Sequence, residues 1–272
     1  MLSFFKKILS RLVSVGGLYV TYDSGGKGKP TVVLLHGIAA TSNTWKYVLD
    51  NLDEDKYRVI TLDLLGFGKS PKPRLCKYSV DDHAVRIYKT LQKLKIRRPF
   101  ILVGHSMGSI ISAHYATKYP KQVSDLFLLS LPLYTKSPEI KPTFISDKQT
   151  DMFIKIYELL LKNKKFAIKY SQKIRTLLNL HDGMDVTEAT WDSFRLSLKN
   201  TIILQDTYDE IKKIKIPTHI IYGVLDGFLV QKNIDKLSSF KNVKITRVLA
   251  SHHSVDDRFA KVVAKEIDST RR

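Results

Sequence analysis

Short apolar runs alternate with amphipathic stretches along most of this chain. Thr31-Val-Val-Leu-Leu35, Phe100-Ile-Leu-Val103 and Leu126-Phe-Leu-Leu129 are continuous apolar runs, and Tyr57-Arg-Val-Ile-Thr-Leu62 is nearly so. Runs of this length and composition predict strands buried on both faces. Leu18 to Asp23 alternates instead, which suits an edge strand, and Gly25-Gly-Lys-Gly28 marks a turn. Between the runs, Asn43 to Leu52, Val80 to Leu94 and the stretch up to about Tyr119 repeat apolar residues at helical spacing. Strands that alternate with helices predict a mostly parallel sheet with helices on both faces.

The alternation stops between about Leu133 and Lys212. No strand pattern stands out there, and helical segments replace it. Met152, Phe153, Ile156, Leu159 and Leu160 mark one, and Phe166, Tyr170, Ile174, Leu177 and Leu178 a second. Trp191, Phe194 and Leu198 mark a third. The alternation resumes after Pro217, with Thr218 to Tyr222 a strand, Gln231 to Ser239 a helix, and Val243 to Leu249 a strand. A helix from about Asp257 to Ile267 closes the pattern. The prediction is an α/β core at 16–132 and 213–272, interrupted by an inserted all-helical cap at 133–212.

Composition and charge refine this picture. A chain of 272 residues fits one α/β domain with an insertion. The single cysteine, Cys76, excludes an internal disulfide and a cysteine-based zinc site, and it fits a reducing, cytoplasmic setting. Its Lys/Arg-rich surroundings would lower a thiol pKa, although an incidental thiol is the simpler reading. The net charge is +19, and residues 133–212 contribute little of it, with 13 basic against 11 acidic groups. No nucleic-acid module or arginine–aromatic interleaving accompanies the excess, so a solvated lysine-rich surface is expected and nucleic acid is not.

Residues 1–15 put Phe4, Phe5, Ile8, Leu9 and Leu12 on one helical face and Lys6, Lys7 and Arg11 elsewhere. Arg11 interrupts any signal-peptide core, and the segment is too short to span a bilayer. It reads either as an interfacial helix in peripheral contact with an anionic membrane or as a short helix packed on the domain.

Gly104-His-Ser-Met-Gly108 follows the apolar run at 100–103 and precedes a helix. A strand that turns sharply into a helix lifts one side chain, Ser106, out of the fold, and the flanking glycines give room for the close approach. A serine hydroxyl needs a base to take its proton, and the base needs a third group to orient it. Asp226, in Tyr222-Gly-Val-Leu-Asp-Gly227, lies just past a strand, with glycines on both sides of it. The base comes from Ser251-His252-His253, again just past a strand, and either histidine could serve by position alone. The second need is donors for an oxyanion. The Met107 N–H at the helix start is one, and the Ile38 N–H, after His36-Gly37, is the other. His36 reads as a residue that orders its own loop by hydrogen bonding.

The order serine, acid, histidine differs from the trypsin-like and subtilisin-like orders. It resembles that of the α/β-hydrolase superfamily, in its branch of cap-bearing serine hydrolases and carboxylesterases. The matching residues are His36-Gly37, Trp45, Asp63-Leu-Leu-Gly-Phe-Gly-Lys-Ser70, Gly104 to Gly108, Tyr222 to Asp226 and the terminal histidine loop. The resemblance implies the α/β-hydrolase fold, with Ser106 as nucleophile, Asp226 as acid and His253, by motif register, as base. It assigns Asp63 to Ser70 to a structural loop. It implies hydrolysis of a carboxylic ester or related small acyl compound through an acyl-enzyme on Ser106, with no metal and no organic cofactor. Carbon–carbon bond hydrolysis, thioester hydrolysis, acyl transfer and cofactor-free perhydrolysis use the same triad. A non-catalytic binding or membrane-attached protein on this fold is the alternative of another class.

Overall fold

The computed structural model describes residues 17–26, 28–134, 144–177, 186–249 and 251–270. The amphipathic pattern at 1–15 lies outside them, as do parts of the segment expected to form the cap. Among the described residues, seven strands form one sheet: β1 (Val20–Asp23), β2 (Thr31–Leu35), β3 (Arg58–Leu62), β4 (Phe100–His105), β5 (Val123–Leu129), β6 (Thr218–Gly223) and β7 (Val243–Val248). Their order is β1-β3-β2-β4-β5-β6-β7. Only β1 runs antiparallel, against β3, and every other neighbouring pair is parallel.

The near-continuous apolar runs are explained by burial on both faces. Val33, Leu35, Ile60, Leu62, Leu102, Leu126 and Leu128 join one core cluster. Their neighbours Val32, Leu34, Val59, Ile101, Val103, Phe127 and Leu129 join the other. Successive strand residues point to opposite faces, so a strand covered on both sides can carry no polar alternation. The first cluster is completed by Ala84, Ile87 and Leu91 of α2 (Val80–Lys93) and Ile110, Ile111 and Ala113 of α3 (Met107–Lys118). The second is completed by Val48 of α1 (Lys46–Asn51) and Phe259, Ala260, Val263 and Ile267 of α9 (Asp257–Ser269).

Local chemistry sets the helix ends. Ser79 and Asp82 form a reciprocal capping box at the start of α2. Asp256 caps α9 by accepting from Phe259 N–H at 2.8 Å. The helix expected from Asn43 begins instead as a 3-10 turn, Ser42–Trp45, capped by Thr41, before it relaxes into α1.

Between β5 and β6 the described residues hold helices and no strand. They are α4 (Phe144–Lys162), α5 (Lys164–Leu177), α6 (Trp191–Ser197), a π-helical turn at Leu198–Ile203, and α7 (Thr207–Lys213). The π turn is fastened to the loop before α2, where the Asn200 amide donates to Lys77 O at 2.6 Å and the Thr201 hydroxyl to Tyr78 O at 3.0 Å. Helix α7 packs on α3, and its Glu210 carboxylate lies 2.5 Å from His114 Nδ1. Among the described residues, no helix is long and apolar enough to cross a membrane.

Candidate active site

The residues singled out for chemistry come from the carboxyl ends of four strands. Ser106 follows β4 and caps α3, with φ 55° and ψ −121°. A positive φ on a non-glycine residue is costly and persists only when the surroundings enforce it. The enforcement is visible on both sides. Ser106 N–H donates to Leu129 O at 2.9 Å. A Cβ on Gly104 would lie 2.2 Å from Gly108 O, and one on Gly108 would lie 2.2 Å from Leu35 O. Both glycines are therefore required by backbone packing against backbone.

The structure brings Ser106, His253 and Asp226 into one hydrogen-bonded chain. His253 Nε2 lies 3.0 Å from Ser106 Oγ, and His253 Nδ1 lies 2.8 Å from Asp226 Oδ2. An acceptor carboxylate at Nδ1 puts the proton there and leaves Nε2 free to accept. The adjacent His252 is exposed and takes no part in this chain. Asp226 is buried, and its second oxygen accepts from Phe228 N–H at 3.0 Å. Burial works to raise the Asp226 carboxyl. The neighbouring His253 and the Phe228 N–H outweigh it and hold the group below its ordinary value, so it is ionised at neutral pH.

The loop after β2 passes directly beside the serine. A Cβ on Gly37 would sit 3.1 Å from Ser106 Cβ, a tight contact that would push the chain carrying Ile38 and Ser106 apart by a few tenths of an ångström. His36 orders that loop. Its Nε2 accepts from Leu64 N–H at 2.9 Å, which leaves the proton on Nδ1 to donate to Gly37 O at 2.7 Å. Complete burial pushes its pKa down to about 4, so it stays neutral. Met107 is the first residue of α3, and a helix's first amides have no intrahelical carbonyl to meet. Its N–H is thus available beside Ser106.

Asp63 to Ser70 forms a structural turn. Asp63 Oδ1 accepts from Ser42 N–H at 3.0 Å, Oδ2 accepts from Lys69 N–H at 2.8 Å, and Ser70 Oγ donates to Asp63 O at 2.5 Å.

Three contacts near the site had no signal in the sequence. A Cβ on Gly223 would meet Ser251 O at 2.1 Å, so this glycine lets the histidine loop lie against the end of β6. Tyr134 donates to Phe228 O at 2.8 Å, and its hydroxyl lies 2.9 Å from that of Tyr157 on α4, which links the inserted helices to the loop of Asp226. His105 reaches the backbone of His253. Each depends on segments more than 20 residues apart meeting in space, which residue spacing does not encode.

Residues 30–258 match the family described as alpha/beta hydrolase fold. The chain is 36% identical over 109 residues to the probable lysophospholipase BODYGUARD 4 of Arabidopsis thaliana, covering 40% of this chain and 26% of that protein. It is 24% identical over 244 residues to Lipase 1 of Psychrobacter immobilis, covering 84% of this chain and 72% of that protein. Among solved structures, the bromoperoxidase from Bacillus anthracis aligns with a TM-score of 0.72 at 25% identity, covering 91% of this chain and 93% of that one. The chain spans about a quarter of the length of the plant relatives it matches.

Proposed function

The chain belongs to the alpha/beta hydrolase family, and we propose that it is a serine hydrolase that cleaves a carboxylic ester through an acyl-enzyme on Ser106. The observation that carries this reading is the hydrogen-bonded chain from Ser106 through His253 to Asp226, at 3.0 Å and 2.8 Å. Three residues far apart in sequence share it, and each link has the polarity that proton transfer requires.

In the first half-reaction Ser106 Oγ attacks the acyl carbon while His253 Nε2 takes its proton. Ionised Asp226 holds the imidazole in the required tautomer and stabilises its charged form. The negative charge that grows on the carbonyl oxygen is met by the N–H groups of Met107 and Ile38. His253 then gives its proton to the leaving alcohol. In the second half-reaction His253 takes a proton from water as its oxygen attacks the acyl-enzyme, and it then returns that proton to Ser106 Oγ as the bond to the acyl carbon breaks and the carboxylic acid leaves.

Relatives named lipase and lysophospholipase support an ester of a fatty acyl group as the first substrate class to test. The test is a chain-length series of p-nitrophenyl esters with the wild type and Ser106→Ala. The variant is expected to keep the fold and lose roughly 10^4-fold or more in kcat. Undiminished hydrolysis by Ser106→Ala would overturn the reading.

A further inference from the structure

We propose that His105 is a positioning residue for the base, its imidazole holding the backbone of His253 so that the His253 ring can meet Ser106 and Asp226 at once. The inference rests on the serine-hydrolase reading above and adds a residue that touches neither substrate nor the transferred proton.

His105 is the last residue of β4 and immediately precedes Ser106. Its Nε2 lies 2.7 Å from the carbonyl oxygen of His253. A carbonyl only accepts, so Nε2 must carry the ring proton and donate. Nδ1 is then bare, and it is buried without a hydrogen-bond partner. Burial, and next the neighbouring His253, push the His105 pKa down to about 3, so one tautomer is kept across the working pH range of a hydrolase. The ring is walled in by Trp45, edge-on at 6.5 Å between centroids, and by the His253 ring at 5.0 Å.

Two consecutive residues of one strained elbow thus reach the same histidine by different atoms. His105 binds its backbone, and Ser106 meets its ring. Asp226 supplies the third point. The rest of the loop between β7 and α9 is tied near the site by Leu225 N–H to Ser251 O at 3.1 Å. That bond fixes Ser251, two residues short of the base. The His105 bond holds the backbone of His253 itself, while Ser106 and Asp226 hold its ring, and a misplacement of about 1 Å in a catalytic group costs roughly 10^2-fold in rate.

The experiment compares His105→Gln, which keeps an N–H donor at similar reach, with the apolar His105→Leu and His105→Met. Active sites are counted by fluorophosphonate titration, and kcat and KM for a p-nitrophenyl ester are expressed per titrated site. The apolar variants are expected to lose about 10- to 100-fold in kcat with KM within about twofold, and Gln to stay within about threefold of wild type. A residue that only supports the fold would lower the number of active sites and leave kcat per site alone. Wild-type kcat per site in Leu or Met, or equal loss in Gln and the apolar variants, would overturn the proposal. Where both apolar variants fail to fold, Gln decides alone, since a folded Gln protein with a 100-fold lower kcat would overturn it. Ser106→Ala in parallel separates the two readings, because failure of the nucleophile assignment shows there whatever His105 does.

Discussion

Asp226 is flanked by two glycines, Gly223 three residues before it and Gly227 immediately after it, and the structure gives them opposite tolerances. An alanine Cβ at 223 would sit 2.1 Å from Ser251 O, 2.5 Å from Ser251 C and 2.9 Å from His252 O. All three are backbone atoms, so no side chain can swing aside. Restoring ordinary contact takes about 1.4 Å of movement in the histidine loop. The Ser106–His253 bond, at 3.0 Å, cannot absorb that shift and stay a hydrogen bond. Gly223→Ala should therefore lower kcat/KM for a p-nitrophenyl ester by roughly 10^2-fold and cost about 1–3 kcal/mol of stability through overpacking. At 227 a Cβ meets nothing within 4 Å, so Gly227→Ala should change kcat/KM by less than about twofold and stability by less than about 0.5 kcal/mol. The assay is steady-state kinetics with urea unfolding on both variants. Wild-type activity in Gly223→Ala, or equal losses in the two, would refute the argument that the histidine loop is seated on the end of β6.

Asp226→Asn keeps the volume and removes the charge that fixes the His253 tautomer, and kcat should fall by about 10^3–10^4-fold with the melting temperature little changed. His114 is hydrogen-bonded to Glu210, which raises its pKa above 6.5 against the opposing effect of burial, with Asp81 adding to the rise. Its protonated form is therefore favoured by folding, and its contribution is full below the unfolded value and lost as pH rises through the folded one. The stability gap between wild type and His114→Gln in urea should accordingly be wider at about pH 5.5 than at about pH 9. Burial pushes the Cys76 thiol up to about 11, so native protein should leave Ellman's reagent untouched at about pH 8 and react only after unfolding.

The strands were legible because their composition follows burial on both faces. Val32 and Val33 sit in different core clusters, and nothing polar was needed between them. Boundaries were less legible where a contact from outside the segment decides them. Leu18 and Tyr19 fall outside β1 because Tyr19 N–H donates to Ser70 Oγ and Tyr19 O accepts from Asp63 N–H, so the chain there pairs with a loop. β5 starts at Val123, ahead of its apolar run, through an irregular pairing with Phe100 and Ile101. The segment 231–239 splits into α8 (Gln231–Asp235) and a 3-10 turn.

The site divides in the same way. Gly104 and Gly108 have a local reason to be glycine, and their spacing around Ser106 exposes it. Gly223 has a remote reason, and the sequence shows only a glycine near an acid. Two adjacent histidines cannot be told apart by composition, whereas the fold exposes His252 and turns His253 toward Ser106. The charge environment of Cys76 pointed toward a lowered pKa, and burial, which spacing does not report, reverses the direction.

On the proposed mechanism, Ser106 is a nucleophile activated by His253. The most direct measurement is covalent labelling of the wild type, Ser106→Ala and His253→Ala with a fluorophosphonate probe, with the adduct mapped by peptide mass spectrometry. One adduct is expected, on Ser106, formed rapidly by the wild type, absent from Ser106→Ala and slowed at least about 10^3-fold in folded His253→Ala. An adduct on another residue, or a folded wild type that takes no label, would contradict the mechanism.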